Sequence, residues 1–324
     1  MKRNNIILLL KILFSIAILC LAAYIINPRQ ILVYCKKVDL QSIIISFVFI
    51  VASLFSSAFR WYYLIRWQSK DIQLGVTVKI ALWGILLNSF IPGNLGNDIY
   101  RFKSFPSGRS GKTAVLSLLV QERFIGLGAF LFSFILCFAA GYWSIQTSWE
   151  ILFILFWSVL GLTVLVAVYW KSKSICNFIV SKCNNAKLKK FCLIITATTM
   201  PLGSRDGKLV ILLTLCGFFL FSASLFILSV GMHSSADFNV ICMGVVVVEI
   251  VRFLPITVQG IGVREGIMAW FFFLSGLPSG EGFAVAALGY ALLSLGQLGV
   301  GGISLLLPPH RQTNNNASEK DDAN

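Results

Sequence analysis

The sequence is poor in charge and in histidine, and both shortages narrow what the chain can do. Only 12% of its 324 residues are charged, whereas a soluble domain usually carries about 25%. Two histidines and eight cysteines without a C-x-x-C pair supply no zinc or haem spacing. The chain also lacks a G-x-x-x-x-G-K-[ST] phosphate loop and a plausible Ser-His-Asp set. These absences favour a protein that is not an enzyme and that uses no metal or cofactor.

Long apolar runs are abundant instead. Hydrophobic residues make up 57% of the chain and the mean hydropathy is +0.83. A helix of about 20 apolar residues crosses the ~30 Å hydrocarbon core of a bilayer. Runs of this length cover 6–26, 40–59, 114–142, 151–170, 209–230 and 283–307. The first run is longer than the apolar core of a signal peptide, so we expect it to be retained as a span. The sequence therefore predicts an all-α polytopic protein of the cell membrane, and we expect a bacterial inner membrane.

Two shorter apolar runs, 76–90 and 240–254, end in breaks rich in proline and glycine. The first break reads Asn-Ser-Phe-Ile-Pro-Gly-Asn-Leu-Gly-Asn-Asp-Ile-Tyr-Arg over 88–101, and the second Phe-Leu-Pro-Ile-Thr-Val-Gln-Gly-Ile-Gly-Val-Arg-Glu-Gly over 253–266. Proline disrupts a helix interior, and at membrane depth the freed backbone groups must face protein or a water-filled cavity. The two breaks lie about half a chain length apart. Broken helices at corresponding positions of two halves are typical of a transporter site.

The distribution of basic residues predicts the topology. The net charge of +14 comes mainly from lysines and arginines in short loops between apolar runs, which is a positive-inside pattern and not a nucleic-acid surface. The basic loop 171–208 is therefore cytoplasmic, and the loops that contain Glu150 and Asp237, without lysine or arginine, are external. Basic residues flank the segment 76–112 at both ends. Because a single span cannot begin and end on one side, we expect a re-entrant hairpin there.

The second short run starts from the external side, which gives an inverted repeat. We predict six full spans plus two re-entrant broken-helix hairpins, with both termini cytoplasmic; the alternative is eight full spans. One membrane domain, 1–307, contains half-repeats 1–143 and 144–307, and the polar tail 308–324 is expected to be disordered. The basic residues within 29–37 conflict with this topology, because it places them outside.

Charged residues inside apolar runs are candidate functional groups, since inserting one costs about 2.5–3.5 kcal/mol on insertion scales. Adjacent residues point about 100° apart on a helix, so Glu122 and Arg123 should each pair with another segment, unless they form an interfacial pair that only orients the span. Glu249 and Arg252 share a helix face and can neutralise each other. The candidate substrate-binding residues are Arg60, Pro92, Gly93, Gly96, Asp98, Arg101, Glu122, Arg123, Glu249, Arg252, Pro255, Gly260, Gly262, Arg264 and Glu265.

The chemistry expected of this set is the binding of an anion. A glycine-rich break before a helix start exposes amide N–H groups, and a nearby arginine adds a planar fork that matches phosphate. The carboxylates would hold the arginines in place or carry protons.

Two further features predict packing. The aromatic residues within 61–67 lie beside Arg60 and Arg66, as interfacial anchors do. The last apolar run contains several glycines, which allow a neighbouring helix to approach closely.

Four stretches, 57–61, 88–101, 121–123 and 254–265, together resemble the membrane region of the lysylphosphatidylglycerol synthase/flippase family. The resemblance covers essentially the whole chain. It differs at 258–262, where this chain has Val-Gln-Gly-Ile-Gly and the family often has Pro-Gly-Gly-Ile-Gly. The soluble aminoacyl-transfer domain of the synthase is not expected here, and neither is lysine transfer.

The resemblance implies a flippase-like protein that translocates an anionic lipid or a lipid-linked glycan between leaflets. The expected partners are membrane lipids with an anionic or polyisoprenyl-phosphate headgroup, and a glycosyltransferase or further copies of the chain. The alternative function is a non-transporting accessory subunit of a glycosyltransferase or lipid-modification system. A membrane-embedded lipid transferase is a third, for which the sequence offers no recognisable nucleophile.

The topology makes a prediction that labelling can test. In a cysteine-free background, Lys70→Cys and Lys112→Cys should both be protected from a membrane-impermeant maleimide in intact cells, because both ends of the hairpin are cytoplasmic. Asp237→Cys, in an external loop, is the control and should be labelled. Labelling of only one of the two lysine positions would contradict the re-entrant hairpin.

Overall fold

The structure is a computed structural model that describes residues 28–68, 72–88, 95–104, 111–141, 149–182, 189, 202–252 and 260–306. Within these ranges the chain forms ten helices and no strand. The helices of the first half are α1 (Pro28–Lys37), α2 (Leu40–Gln68), α3 (Leu74–Asn88), α4 (Leu95–Ser104) and α5 (Gly111–Gly141). Those of the second half are α6 (Trp149–Lys182), α7 (Arg205–Gly231), α8 (Phe238–Arg252), α9 (Val263–Leu274) and α10 (Ser279–Leu306).

Five helices are long and apolar enough to cross a membrane. They are the segments Leu40–Trp67, Ala114–Gly141, Trp149–Lys171, Arg205–Gly231 and Ser279–Ser304. Five of the six predicted spans are therefore confirmed, and the first, 6–26, lies outside the described residues. The helices α2 and α6 extend well beyond the predicted ends, to Gln68 and Lys182, because a helix does not stop where hydropathy falls.

Two short apolar helices, α3 and α8, match the two predicted short runs to within two residues. Each has 15 residues, which reach only about 22 Å. The helix that follows each of them packs back against it: α4 on α3, and α9 on α8. The intervening residues Pro92, Gly93 and Pro255 lie outside the described residues.

The packing follows the same pattern in both halves. At the centre α2 packs against α7. The contact of α3 with α10 is matched by that of α8 with α5, and the contact of α2 with α3 by that of α7 with α8. Three further pairs of contacts match in the same way. The α2–α10 contact is matched by α7–α5, the α2–α5 contact by α7–α10, and the α4–α5 contact by α9–α10. Exchanging α2–α5 for α7–α10 therefore converts each of these contacts into another one of the set.

Small residues allow these helices to approach closely. The Ser56 hydroxyl on α2 donates to the carbonyl of Leu213 on α7 at 2.8 Å, and Gly217 faces the same serine. On α10, a Cβ at Gly289 would lie 2.0 Å from a methyl of Leu225. The expected close approach to the last span is confirmed, and it is the packing mode that membrane helices favour.

The two central helices begin at polar residues. Asp39 precedes α2 and accepts a hydrogen bond from the backbone N–H of Ser42 at 2.9 Å, which lowers the pKa of Asp39 below its usual value. Ser204 caps α7 by accepting from the N–H of Gly207 at 3.1 Å. Both caps satisfy N–H groups that a helix start leaves unpaired.

The packing of α3 on α4 can be tested with two glycines of α3. A Cβ at Gly84 would lie 2.1 Å from Oδ1 of Asn97 on α4, whereas one at Gly75 would meet nothing within 4 Å. We expect Gly84→Ala to destabilise the fold by about 1–3 kcal/mol through overpacking, seen as a lower melting temperature of the purified protein. Gly75→Ala, the matched control, should be neutral or stabilising, because alanine is the better helix former by up to about 1 kcal/mol. Equal melting temperatures for the two variants would contradict the close α3–α4 contact.

Candidate functional site

A polar cavity of about 260 Å³ lies where α2, α3, α4, α5, α7, α8 and α10 meet. Its wall therefore contains residues of both predicted half-repeats. Its hydroxyl and amide lining comes from Ser53, Ser57, Asn88, Asn97, Thr214 and Gln297. Its charged lining comes from Arg60, Asp98, Arg101, Glu122, Arg123, Glu249 and Arg252.

All seven charged residues of this wall are among those that the sequence predicts. The predicted residues that are described but do not line the cavity are Gly96, Gly260, Gly262, Arg264 and Glu265. Pro92, Gly93 and Pro255 lie outside the described residues. Charged residues that are far apart in the sequence thus line one cavity, whereas Gly96, Gly260 and Gly262 lie outside its lining.

The carboxylate of Glu122 joins two arginines from other helices. Arg60 on α2 donates to Oε1 of Glu122 at 2.6 Å, and Arg101 on α4 donates to Oε2 at 3.0 Å. Arg123, the next residue, pairs with Asp98 on α4. The expectation that Glu122 and Arg123 each pair with another segment is confirmed, and the pairs tie α2, α4 and α5 together.

Arg101 is the most deeply buried charge of the site. Its side chain has no solvent exposure, and its guanidinium carbon lies 4.6 Å from the ring centroid of Trp61. One nitrogen, Nη1, bonds Glu122, while Nε and Nη2 are buried without a hydrogen-bond partner. Buried N–H donors of a charged group are costly to leave unsatisfied, so this arginine would gain free energy from an acceptor that reached Nε or Nη2.

The charge balance of the wall also favours an anion. Four arginines and three carboxylates line the cavity, which leaves one positive charge in excess when all are ionised. Among the described residues no group of three or more His, Cys, Asp or Glu side chains is placed to hold a metal ion. The arrangement therefore suits the binding of a phosphate or carboxylate group.

The second half contributes Arg252, which ends α8. It pairs with Glu249 one turn earlier, so the predicted (i, i+3) pair is confirmed, and both members still line the cavity. The ring of Tyr290 lies beneath two guanidinium groups, at 5.8 Å from Arg252 and 4.4 Å from Arg264. A Cβ at Gly260 would lie 3.0 Å from Cγ of Arg252, a contact tight enough that the arginine would have to shift.

Arg264 and Glu265 lie outside the lining of the cavity. They pair with each other, Nε to Oε1 at 2.7 Å, and both are buried. The second carboxylate oxygen of Glu265 accepts from the N–H of Gly262 at 2.7 Å. The sequence predicts that this amide N–H binds an anionic headgroup, but in the structure it donates to Glu265 of the same chain. Gly260 and Gly262 have φ of 78° and 85°, values at which glycine is strongly preferred.

Sequence reasoning missed several residues of the site. Asn88 and Asn97 lie within the first break, 88–101, and line the cavity, and their position in that break was the available signal. Trp61 was expected to be an interfacial anchor, and this is wrong, because it is fully buried under Arg101. Trp67, one turn and a half further along α2, is 38% exposed. Nothing in the sequence of the last span marked Tyr290 as a residue of the site.

Removing the shared carboxylate should destabilise the protein. In Glu122→Gln, Arg60 and Arg101 lose their common anion, and an unpaired buried charge costs about 3–5 kcal/mol. We expect a markedly lower melting temperature and yield of folded protein than in Glu150→Gln, the same change at an exposed position at the start of α6. Melting temperatures that agree within error would show that the ion-pair cluster contributes little to the fold.

Comparison with known proteins agrees with these features. The family described as Lysylphosphatidylglycerol synthase TM region matches residues 8–301. A search of the curated proteins finds no match. The matched region is the membrane part of that family, a catalytic domain is not evident in it, and at family level it carries a lipid-related membrane function. It includes both breaks and every charged residue of the cavity wall. The chain is therefore a multi-pass membrane protein that belongs to the lysylphosphatidylglycerol synthase TM region family.

Proposed function

We propose that the protein is a flippase, which translocates an anionic lipid between leaflets and binds the headgroup in the central cavity. The observation that carries this proposal is Arg101, a fully buried arginine that lines a cavity shared by both halves and has two N–H donors without a hydrogen-bond partner. A lipid phosphate supplies acceptors for those donors, and an arginine binds it through parallel hydrogen bonds.

We propose that an inverted repeat places this cavity near the middle of the membrane. We infer that α3 with α4, and α8 with α9, are re-entrant hairpins that enter from opposite sides within a single membrane domain 1–307. Two facts support the inference: the helix contacts are matched on exchange of the halves, and the ends of the two short helices, Asn88 and Arg252, line the same cavity. Two helices of about 22 Å that enter a core of ~30 Å from opposite faces both pass its midplane, so their ends overlap near the middle of the bilayer. Transporters built from inverted repeats hold their substrates at this depth.

The size of the cavity favours a compact headgroup. Ligand pockets usually measure about 300–1,000 Å³, and this one, at about 260 Å³, lies just below that range. It suits a phosphate with a small substituent, such as glycerol, better than a glycan of several sugars. Ser53, Ser57 and Thr214 line the same space and offer oxygens to the hydroxyls of such a substituent. Of the two substrate classes, the phospholipid is therefore the one we propose.

The ion pairs suggest how binding is coupled to movement. Arg101 and Asp98 both lie on α4, and each is paired to a residue of α5. A phosphate bound to Arg101 and Arg123 would compete with Glu122 and Asp98 for their arginines and so weaken the links between α4 and α5. A ligand shifts a conformational equilibrium only by binding the two states differently. Loss of these pairs on binding provides that difference, and the two halves then rock around the bound headgroup.

The proposal predicts the effect of a conservative change at Arg101. Arg101→Lys keeps the charge but loses the planar fork, so it removes one or more charge-assisted hydrogen bonds worth about 1.5–3 kcal/mol each. We expect translocation of a fluorescent phosphatidylglycerol in proteoliposomes to slow by about tenfold or more. Arg66→Lys is the matched control, because Arg66 is an exposed arginine that also lies near an aromatic ring, that of Tyr63 at 6.0 Å, and it should translocate normally.

Each variant is first checked for folded yield by size exclusion. Should Arg101→Lys fold poorly, Arg123→Lys repeats the test at a side chain that is 32% exposed. Wild-type rates in both folded variants would refute a headgroup site in this cavity. A wild-type protein that translocates no lipid would favour the accessory-subunit function instead.

A further inference from the structure

A second cavity, of about 650 Å³, lies on the other side of α5 and is almost wholly apolar. It is a groove between α5, α6 and α7. Its walls include Phe124, Ile125 and Phe132 of α5, Leu165 and Val166 of α6, and Leu215 of α7. We call it the apolar groove. None of the candidate substrate-binding residues from the sequence lines it.

The apolar groove and the central cavity share two walls. On α5, Gly126 and Phe130 line the central cavity, whereas Gly128 and Phe132 line the groove. On α7 the same alternation holds, with Thr214 on the cavity side and Leu215 on the groove side. The two spaces are therefore separate sites on opposite faces of the same helices.

One end of the groove is polar. Ser117 and Gln121 line it there and are joined by a hydrogen bond of 3.3 Å. Tyr169 lines the same end, and its hydroxyl accepts from the N–H of Leu202 at 3.0 Å. This is the end at which the apolar spans of α5 and α7 begin and that of α6 ends.

Exposed basic residues flank this polar end. Lys171 directly follows Trp170, which lines the groove, and Lys208 lies one turn before Ile211, which also lines it. Both lysines are exposed. Arg205, at the start of α7, is exposed as well. By the positive-inside rule this rim faces the cytoplasm, so the groove opens toward the headgroups of the cytoplasmic leaflet.

The length of the groove matches a lipid chain. From Ser117 to Phe132, α5 rises about 22 Å, which exceeds the thickness of one leaflet's hydrocarbon, roughly half of 30 Å. An acyl chain that starts at the polar end can lie along the groove with its headgroup at the basic rim. The cationic rim at that end complements an anionic headgroup.

We propose that the apolar groove binds one acyl chain of an anionic phospholipid from the cytoplasmic leaflet, whose phosphate lies at the rim formed by Lys171, Arg205 and Lys208. Because none of these residues lines the central cavity, the site stands independently of the proposed transport. The site combines an apolar groove about one leaflet deep with a cationic rim, so it selects for both an acyl chain and a negative headgroup.

Two glycines of α5 allow a matched test. A Cβ built at Gly126 or Gly128 meets no atom of another segment within 4 Å, and Gly126 lines the central cavity whereas Gly128 lines the groove. A phenylalanine at 126 is therefore designed to fill the central cavity, and one at 128 to fill the groove. The full chain, purified in detergent, is titrated with phosphatidylglycerol and with phosphatidylcholine, and native mass spectrometry measures the dissociation constant of each bound lipid. We expect Gly128→Phe to weaken one phosphatidylglycerol site by tenfold or more.

The rim is tested in the same assay. Lys208→Glu should weaken that site for phosphatidylglycerol and leave phosphatidylcholine unchanged, and the double variant Gly128→Phe with Lys208→Glu should lose no further site. Gly126→Phe combined with Lys208→Glu should lose a second, separate site. Unchanged phosphatidylglycerol affinity in folded Gly128→Phe would overturn the proposal. So would an equal loss for both lipids in Lys208→Glu, a change at an exposed side chain whose folded yield is checked by size exclusion.

Discussion

The bifurcated pairing of Glu122 with Arg60 and Arg101 is the interaction on which the site depends. A buried carboxylate and a fully buried guanidinium are each costly on their own, and the structure places them together at 3.0 Å. With Arg60 at 2.6 Å from the same carboxylate, three helices converge on one anion. The cluster still carries more positive than negative groups, so it remains able to attract a further anion. In this way one interaction organises the packing and also creates the binding chemistry.

The close approach of α2 to α7 is the second constraint. Ser56 and Gly217 let the two helices touch at the interface between the halves, and larger side chains there would separate them. Because these helices are adjacent, the short helices packed on them, α3 and α8, end at a common cavity. Small residues in the spans thus allow the close packing that brings the charges at the breaks to one cavity. That cavity is the basis of the proposed function.

Much of the fold follows from the sequence, because span length and hydropathy are local properties. The short helices α3 and α8 were predicted to within two residues for this reason. The composition of the site follows less well. Arg252 and Arg264 lie on either side of the glycines of the second break, yet only Arg252 lines the cavity, a difference that depends on tertiary packing and not on local sequence. Trp61 was misassigned because an aromatic residue beside an arginine suits both an interface and a buried cation–π contact. The apolar groove had no signal at all, since α6 is apolar on all its faces.

A structure of the protein in lipid nanodiscs that contain an anionic phospholipid would show whether the cavity binds a headgroup. Cryo-electron microscopy at a resolution that shows phosphate groups would locate the headgroup relative to Arg101. We expect phosphate density in the cavity at about 3 Å from Nε or Nη2 of Arg101. Density for phosphate only at the membrane surface, with both nitrogens bonded to protein groups, would contradict it.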